Sequence, residues 1–329
     1  MDYEPPFLET YKTLLQKHLV DSKNDSCSMV ETCELPLIDL GRLNLQHPER
    51  EECIKEISEA AREWGFFQVV NHGISKELLE SMQFEQTKVF YKPFVNKSTQ
   101  FDFSLSDKTY RWGNPSATNL RQLSWLESFH FSLTDVSKMD QHKSLRSMIE
   151  AIATRMAHLA ESLGEILACK LNMKASYCRE NCLTKSSFIR LNRYPPCPIS
   201  SKVYGLMPHS DTSLLTIVYQ DQVGGLQLMK DGKWVDVKPN PRALVVNIGD
   251  LFQAQSNDIY KSIKHRVVAA EKVERFSIAF FYCPSEEAVI QSNITPPMYR
   301  KFTLKEYRQQ NEKDVKQTGD KVGLSRFLL

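Results

Sequence analysis

Between residues 186 and 282 the chain breaks into short β-type runs, at 188–194, 214–219, 226–229, 233–237, 243–248, 265–268 and 276–282. Turn signals such as Gly224-Gly225 and Asp231-Gly232 separate them. Many short strands at even spacing predict a sandwich or barrel rather than a parallel α/β sheet. The flanks carry the other period. After Pro48, Ile54, Ile57, Ala61 and Trp64 recur at three- and four-residue steps, one face of a helix that Gly65 ends. Leu145, Met148, Ile149, Ile152, Met156, Leu159, Leu163, Ile166 and Leu167 form one apolar stripe over more than five turns. A further helix is expected from near Ser75 to Pro93, and a closing one from Thr303-Leu-Lys-Glu306, a capping-box pattern. Leu35–Leu40 and Phe66–Val70 read as strands, residues 1 to about 33 as a helical or irregular arm, and 95–140 as irregular. The expected class is α+β.

Composition removes several functions. Forty-two basic against 40 acidic residues give a net charge of +2, with no basic excess to support nucleic-acid binding. The longest apolar run is Ile278–Cys283, far short of the ~18 residues that cross a bilayer. The first twenty residues mix charges and prolines where a signal peptide has an apolar core. Eight cysteines form no CxxC pair and read as reduced thiols. A cytoplasmic globular protein with no nucleic-acid or membrane partner is expected. The pattern assigns no oligomeric state.

No GxGxxG, P-loop, HExxH or GxSxG is present, which removes the usual support for dinucleotide, nucleotide, zincin and serine-hydrolase chemistry. What remains is His209-Ser-Asp211 and, 54 residues later, His265. On a strand, residues i and i+2 point to one side, so His209 and Asp211 can hold one ion together. A second imidazole from a distant strand completes two nitrogens and one carboxylate on one face of an octahedron. That is the facial triad of non-haem Fe(II) oxygenases, which leaves positions open for cosubstrate and dioxygen. The competing reading is a surface His-Asp pair and an unrelated histidine.

Ten residues after His265, Arg275-Phe-Ser277 opens the most apolar strand. Arg275 and Ser277 share a face there, and Phe276 and Ile278 face away. A buried arginine needs an anionic partner, and a guanidinium beside a hydroxyl suits bidentate capture of a carboxylate. A small dicarboxylate anchored there by its far end would chelate the metal through its 2-oxo acid end. An internal Arg–carboxylate pair is the alternative. Tyr194, before the Pro195-Pro196-Cys197-Pro198 turn, either adds a phenol to the same carboxylate or fills core.

Six segments together resemble the plant 2-oxoglutarate- and Fe(II)-dependent dioxygenases. They are Trp64-Gly-Phe-Phe-Gln-Val-Val-Asn-His-Gly73, Leu191-Asn-Arg-Tyr-Pro-Pro-Cys-Pro198, Pro208-His-Ser-Asp211, Asn247-Ile-Gly-Asp250, Lys264-His-Arg-Val267 and Arg275-Phe-Ser277. The resemblance implies a double-stranded β-helix, or jelly-roll, core at 176–300, a mostly helical N-terminal region at 1–175 and a C-terminal helix and tail at 301–329. It implies Fe(II) on His209, Asp211 and His265, and 2-oxoglutarate on Arg275, Ser277 and Tyr194. Dioxygen is then the other cosubstrate, and ascorbate the expected reductant.

Within that family, Thr109-Tyr-Arg-Trp-Gly-Asn-Pro-Ser-Ala-Thr118, Leu123-Ser-Trp-Leu-Glu-Ser-Phe-His130, Gln220-Asp-Gln-Val-Gly-Gly-Leu226 and Lys321-Val-Gly-Leu-Ser-Arg-Phe-Leu-Leu329 are most similar to the gibberellin 2-oxidases, in particular the subgroup acting on twenty-carbon gibberellins. This similarity implies hydroxylation at carbon 2, which inactivates the hormone or its precursor, and a small hydrophobic carboxylic acid as substrate. Tyr110, Arg111, Trp112, Trp125, Phe129, Phe252 and Phe281 are the candidate substrate contacts; the aromatic ones equally suit core positions, and Arg111 or Arg121 equally a solvated surface. A sibling dioxygenase acting on a flavonoid or other small hydrophobic metabolite, or a jelly-roll protein that binds metal without turnover, stays as an alternative. His72, in the turn after Phe66–Val70, is expected to be structural.

Overall fold

The computed structural model describes residues 2–21, 30–99, 109–114, 117–173, 177–182 and 186–329. The expected arm and irregular stretch therefore fall partly outside the described residues, at 22–29, 100–108 and 115–116. The first half of the chain supplies strands β1 (Glu31–Cys33), β2 (Leu37–Asp39), β3 (Phe66–Val70), β4 (Tyr110–Trp112) and β5 (Glu127–Ser132). The second half supplies β6 (Phe188–Tyr194), β7 (Tyr204–His209), β8 (Leu215–Gln220), β9 (Leu226–Lys230), β10 (Lys233–Val237), β11 (Leu244–Ile248), β12 (His265–Val268) and β13 (Arg275–Tyr282).

These strands build two sheets, in the orders β2-β3-β11-β8-β13-β6-β5-β4 and β1-β10-β9-β12-β7. From β6 onward the chain alternates between them: β6, β8, β11 and β13 enter the larger sheet, and β7, β9, β10 and β12 the smaller. That winding is the jelly roll. The β9–β10 hairpin turns on Asp231 and Gly232, with φ of 49° and 78°, the positive values a two-residue turn requires.

One face of the larger sheet packs on helices. Phe131, Ile189, Leu191, Ile217, Ile278 and Phe280 bury against the helix Lys143–Lys170, whose buried Leu145, Ile149, Ile152, Met156, Leu163 and Leu167 lie on the expected stripe. The helices Glu49–Glu63 and Lys76–Phe90 join the same core, the second capped by Ser75 accepting from the Leu78 N–H. The closing helix Leu304–Thr318 is capped by Thr303, which accepts from the Glu306 N–H. Gly65 has φ of +62°, and a Cβ there would lie 2.2 Å from the Lys261 carbonyl oxygen, so only glycine fits that helix end.

Three expectations change. The stretch 95–140 is not irregular throughout, because β4 and β5 extend the larger sheet from β6. β5 reads Glu-Ser-Phe-His-Phe-Ser, and its polarity hides a mostly buried strand whose glutamate has buried cationic partners. β7 contains Gly205 and Pro208, which break the apolar pattern expected of a strand. The N-terminal arm docks. Phe7 and Tyr11 bury with Leu120, Leu123 and Trp125 in a second small core.

The other face of the larger sheet looks toward the smaller one. Phe66, Val218 and Val245 meet Leu226 and Leu228 there, and Tyr194 meets Val267. Directly opposed partners make rows across this inner face. One row runs Gln220, Ser277, Asn192, Ser128, Arg111, and the next Val245, Val218, Ala279, Arg190, His130. A jelly roll with so polar an interior is built around something other than packing.

Candidate active site

β12 lies between β7 and β9 in the smaller sheet, and its first residue, His265, is registered opposite His209, the last residue of β7. Asp211 lies just past the end of β7. The expected juxtaposition of His209 and Asp211 therefore holds, but the strand period does not produce it. The turn is held by others. The Asp250 N–H donates to the Asp211 carbonyl at 2.8 Å and the Leu251 N–H to that of Ser213 at 3.1 Å. Gly249 permits this approach, since a Cβ there would sit 2.2 Å from the Ser213 carbonyl oxygen. From the C-terminal tail, Lys321 Nζ donates to the Ser210 carbonyl at 2.8 Å, Thr212 Oγ1 at 3.0 Å and Asp250 Oδ2 at 2.5 Å.

His209, Asp211 and His265 converge, each offering a ligand atom within 4.8 Å of the others. The two Nε2 atoms face the same oxygen, Asp211 Oδ1, at 3.6 and 3.8 Å. Each Nδ1 bonds a backbone carbonyl of its own strand or approach, Met207 at 2.9 Å and Ile263 at 3.0 Å. A proton on Nδ1 is thereby favoured, leaving each Nε2 lone pair aimed at the shared point. The Asn247 amide donates to Asp211 Oδ2 at 2.9 Å and fixes the carboxylate plane. Burial, with the neighbouring His265, pushes His209 well below its ordinary range. Burial opposes the Asp211 charge, but His265, His209 and the Asn247 amide outweigh it and keep the carboxylate ionised. Two imidazoles and one carboxylate are a fitting donor set for Fe(II).

Arg275 opens β13 opposite Tyr194, and its guanidinium lies 4.8 Å from the Tyr194 ring centroid. It is buried, and its one hydrogen bond runs from Nη2 to Gln220 Oε1 at 2.7 Å. Arg275 Nε and Nη1 and Gln220 Nε2 are buried donors with no partner among the described residues. Leaving such donors unmatched costs ~1–3 kcal/mol each, more on a charged group, so this pocket fits a carboxylate. Ser277 stands beside it, accepting from Asn192 Nδ2 at 3.2 Å.

The chain's likeness to known proteins is extensive. Residues 185–284 match the 2OG-Fe(II) oxygenase superfamily, and residues 35–149 the non-haem dioxygenase in morphine synthesis N-terminal family. Gibberellin 2-beta-dioxygenase 8 of Arabidopsis thaliana is 52% identical over 99% of this chain and 98% of its own length. The chain belongs to the 2OG-Fe(II) oxygenase superfamily. It is a 2-oxoglutarate- and Fe(II)-dependent dioxygenase. Gibberellin 2-beta-dioxygenase 7 of the same plant is 44% identical, with full coverage of both chains. Among solved structures, that of JOX2 in complex with 2OG, Fe and JA is 32% identical, covers 89% of this chain and 91% of that one, and superposes with a TM-score of 0.73.

The dioxygenase places only two of the seven expected substrate contacts on the inner face of its sheet. Arg111 and Phe281 are there, the latter stacked on Phe188 at 4.4 Å. Tyr110 and Phe129 are opposed on β4 and β5 and face the helices; Phe129 packs on Phe90 and Phe131, and the Tyr110 hydroxyl donates to buried Glu127 at 2.6 Å. Trp112 and Trp125 hold the N-terminal arm, with Trp125 stacked on Phe7 at 4.4 Å. Phe252 packs in the core against Tyr260. Strand alternation explains the split, because Arg111 sits between two residues that point the other way. Of the remaining sequence readings, Arg121 is exposed, and His72 is structural, its Nδ1 accepting from the Ile74 N–H at 3.2 Å. Gln220, Asn247, Lys321 and Arg190 were not legible as site residues. Asn247, Gln220 and Lys321 do open segments that carry the family resemblance, and Arg190 lies four residues before Tyr194 and thus on its face.

Proposed function

We propose that this chain is a gibberellin 2-beta-dioxygenase and that His209, Asp211 and His265 hold its Fe(II). The observation that carries the substrate is identity of 44–52% over essentially the whole chain to two proteins of that activity. The orphaned donors of Arg275 and Gln220 support the cosubstrate site: they take the far carboxylate of 2-oxoglutarate, with Tyr194 stacked beneath the guanidinium and Ser277 alongside. With dioxygen, the bound iron and 2-oxoglutarate supply the oxidising power that hydroxylates carbon 2 while 2-oxoglutarate becomes succinate and carbon dioxide. The protein's own part is positional. Asn247 and the two backbone carbonyls orient the ligands, and the inner face of the larger sheet holds the substrate so that one C–H bond is presented. No general acid or base is required of the chain.

The finer reading is a twenty-carbon gibberellin as the preferred substrate, supported by the likeness of the 109–118 and 123–130 segments to that subgroup. A cytoplasmic location belongs to the same reading, supported by free thiols on the seven described cysteines. Among the described residues no helix is long and apolar enough to cross a membrane. Two measurements test the proposal. Anaerobic addition of Fe(II) and 2-oxoglutarate is expected to give a visible charge-transfer band that is lost in Asp211→Ala. Mass spectrometry of products from nineteen- and twenty-carbon gibberellins, flavonoids and jasmonate is expected to show one added oxygen on gibberellins; turnover of another class alone removes the substrate.

A further inference from the structure

A second arginine faces the barrel interior, and among the described residues it has no counter-ion. Arg190 sits at the middle of β6, on the face that carries Asn192 and Tyr194. No described carboxylate reaches salt-bridge distance of its guanidinium, and its Nε is a buried donor with no partner. Burial, then the charge of Arg111, depresses its pKa; the acidic groups that act on it are Tyr194 and Asp211. Asp211 is one of the three residues that converge on the candidate metal point, so Arg190 stands within electrostatic reach of that centre. Uncompensated positive charge in a protein interior is costly, and the molecule tolerates it where an anion is to be received.

The surroundings describe the rest of that anion. Phe281 lies under the guanidinium at 5.9 Å, Phe188 stacks on Phe281 at 4.4 Å, and the His130 ring packs on Phe188 at 4.4 Å. Burial and the charges of Arg190 and Arg111 push His130 down to about 3, so its ring is neutral and adds to the apolar wall. Across the row Arg190 is opposed by Ala279, a small side chain with no polar group to offer the guanidinium. These inner residues are half-exposed, unlike the helix-facing side chains of the same strands. A single cation edged by a stack of rings suits a ligand with one carboxylate on a broad apolar body.

We propose that Arg190 is the receptor for the carboxylate of the substrate, with Phe188, Phe281 and His130 bearing its apolar body. The proposal rests on the reading of the substrate as a gibberellin-like acid, and it deepens that reading by naming the contact that selects the acid form. Arg275 takes the cosubstrate and Arg190 the substrate, two arginines on adjacent strands of one face.

The test uses the holoenzyme loaded anaerobically with Fe(II) and 2-oxoglutarate, whose charge-transfer band reports substrate binding. A gibberellin and its methyl ester are titrated into wild type, Arg190→Met and Arg190→Lys. Wild type is expected to prefer the acid by about 10- to 100-fold, the range of a charge-assisted contact. Arg190→Met is expected to lose that preference by weakening the acid alone, with the ester and the 2-oxoglutarate half-saturation unchanged. Arg190→Lys is expected to restore part of it, and it carries the test should the methionine variant not fold. Equal weakening of acid and ester marks Arg190 as packing only, a raised 2-oxoglutarate requirement marks it as part of the cosubstrate site, and an unaltered preference removes it; each overturns the proposal. If wild type turns over no gibberellin, the proposed function fails separately, and the acid–ester comparison is made with whichever acid it does oxidise.

Discussion

The two faces of β6 carry arginines in opposite circumstances. On the helix side, Arg193 is wholly buried and bonded to three carboxylates: Glu127 at 2.6 Å, Glu274 at 2.6 Å and Glu4 at 3.1 Å. Lys97, also buried, takes the other oxygen of Glu127 at 2.6 Å, and the Tyr3 and Tyr91 rings cover the guanidinium at 5.1 and 5.3 Å. On the inner side, among the described residues, Arg190 has no carboxylate, and Arg275, on the strand alongside, has a single neutral amide. All three are arginines of one sheet. A saturated guanidinium ties the arm, β5 and β13 together, whereas an unsaturated one waits for a ligand. Hydrogen-bond completeness separates structure from site here more sharply than burial does.

Substitutions can break or sharpen that contrast. Removing the saturated member is expected to cost the most: Arg193→Met leaves Glu274 and Glu4 without their cation and Glu127 with Lys97 alone, a loss of ~3–5 kcal/mol of stability. Denaturant unfolding reads it directly. The inner-face counterpart, Arg275→Met, is expected to leave the unfolding midpoint nearly unchanged while raising the half-saturating 2-oxoglutarate by ~100-fold, the upper end for a charge-assisted pair. Iron binding should survive, which equilibrium dialysis of the metal checks.

Asn247 tests an inner-face polar group that already has its partner. Asn247→Ala frees Asp211 Oδ2 and is expected to weaken Fe(II) by ~10–100-fold, the usual cost of losing a group that orients a ligand. The smallest effect belongs to Gln220→Leu, which removes one neutral donor beside Arg275 and should raise the 2-oxoglutarate requirement by only ~2–10-fold. A Gln220→Leu effect as large as that of Arg275→Met would mean that the amide, not the charge, carries the anion.

Much of the fold was legible because two periods were clean. The strands 188–194, 233–237 and 265–268 and the apolar stripe of Lys143–Lys170 stand where the pattern puts them. The misses share a cause. β5 and β7 are interrupted or polar in sequence, and become strands only because Glu127 finds buried cations and because β7 pairs with β12. Aromatic content was a poor guide to the substrate side, since Phe129, Trp125 and Phe252 serve packing.

By itself the sequence determined the donor set: two histidines, one aspartate and an arginine of the right chemical types, within motifs that identify the family. Chemistry of that kind is a property of side chains, and order along the chain preserves it. Tertiary structure decided which oxygen of Asp211 the imidazoles share, which arginines stay unpaired, and which aromatic rings face inward. Those depend on register and on partners tens to hundreds of residues away, as with Lys321 on the turn at Ser210 and Glu4 on Arg193. A hydrogen bond left unmade is invisible until every possible partner has been given its place.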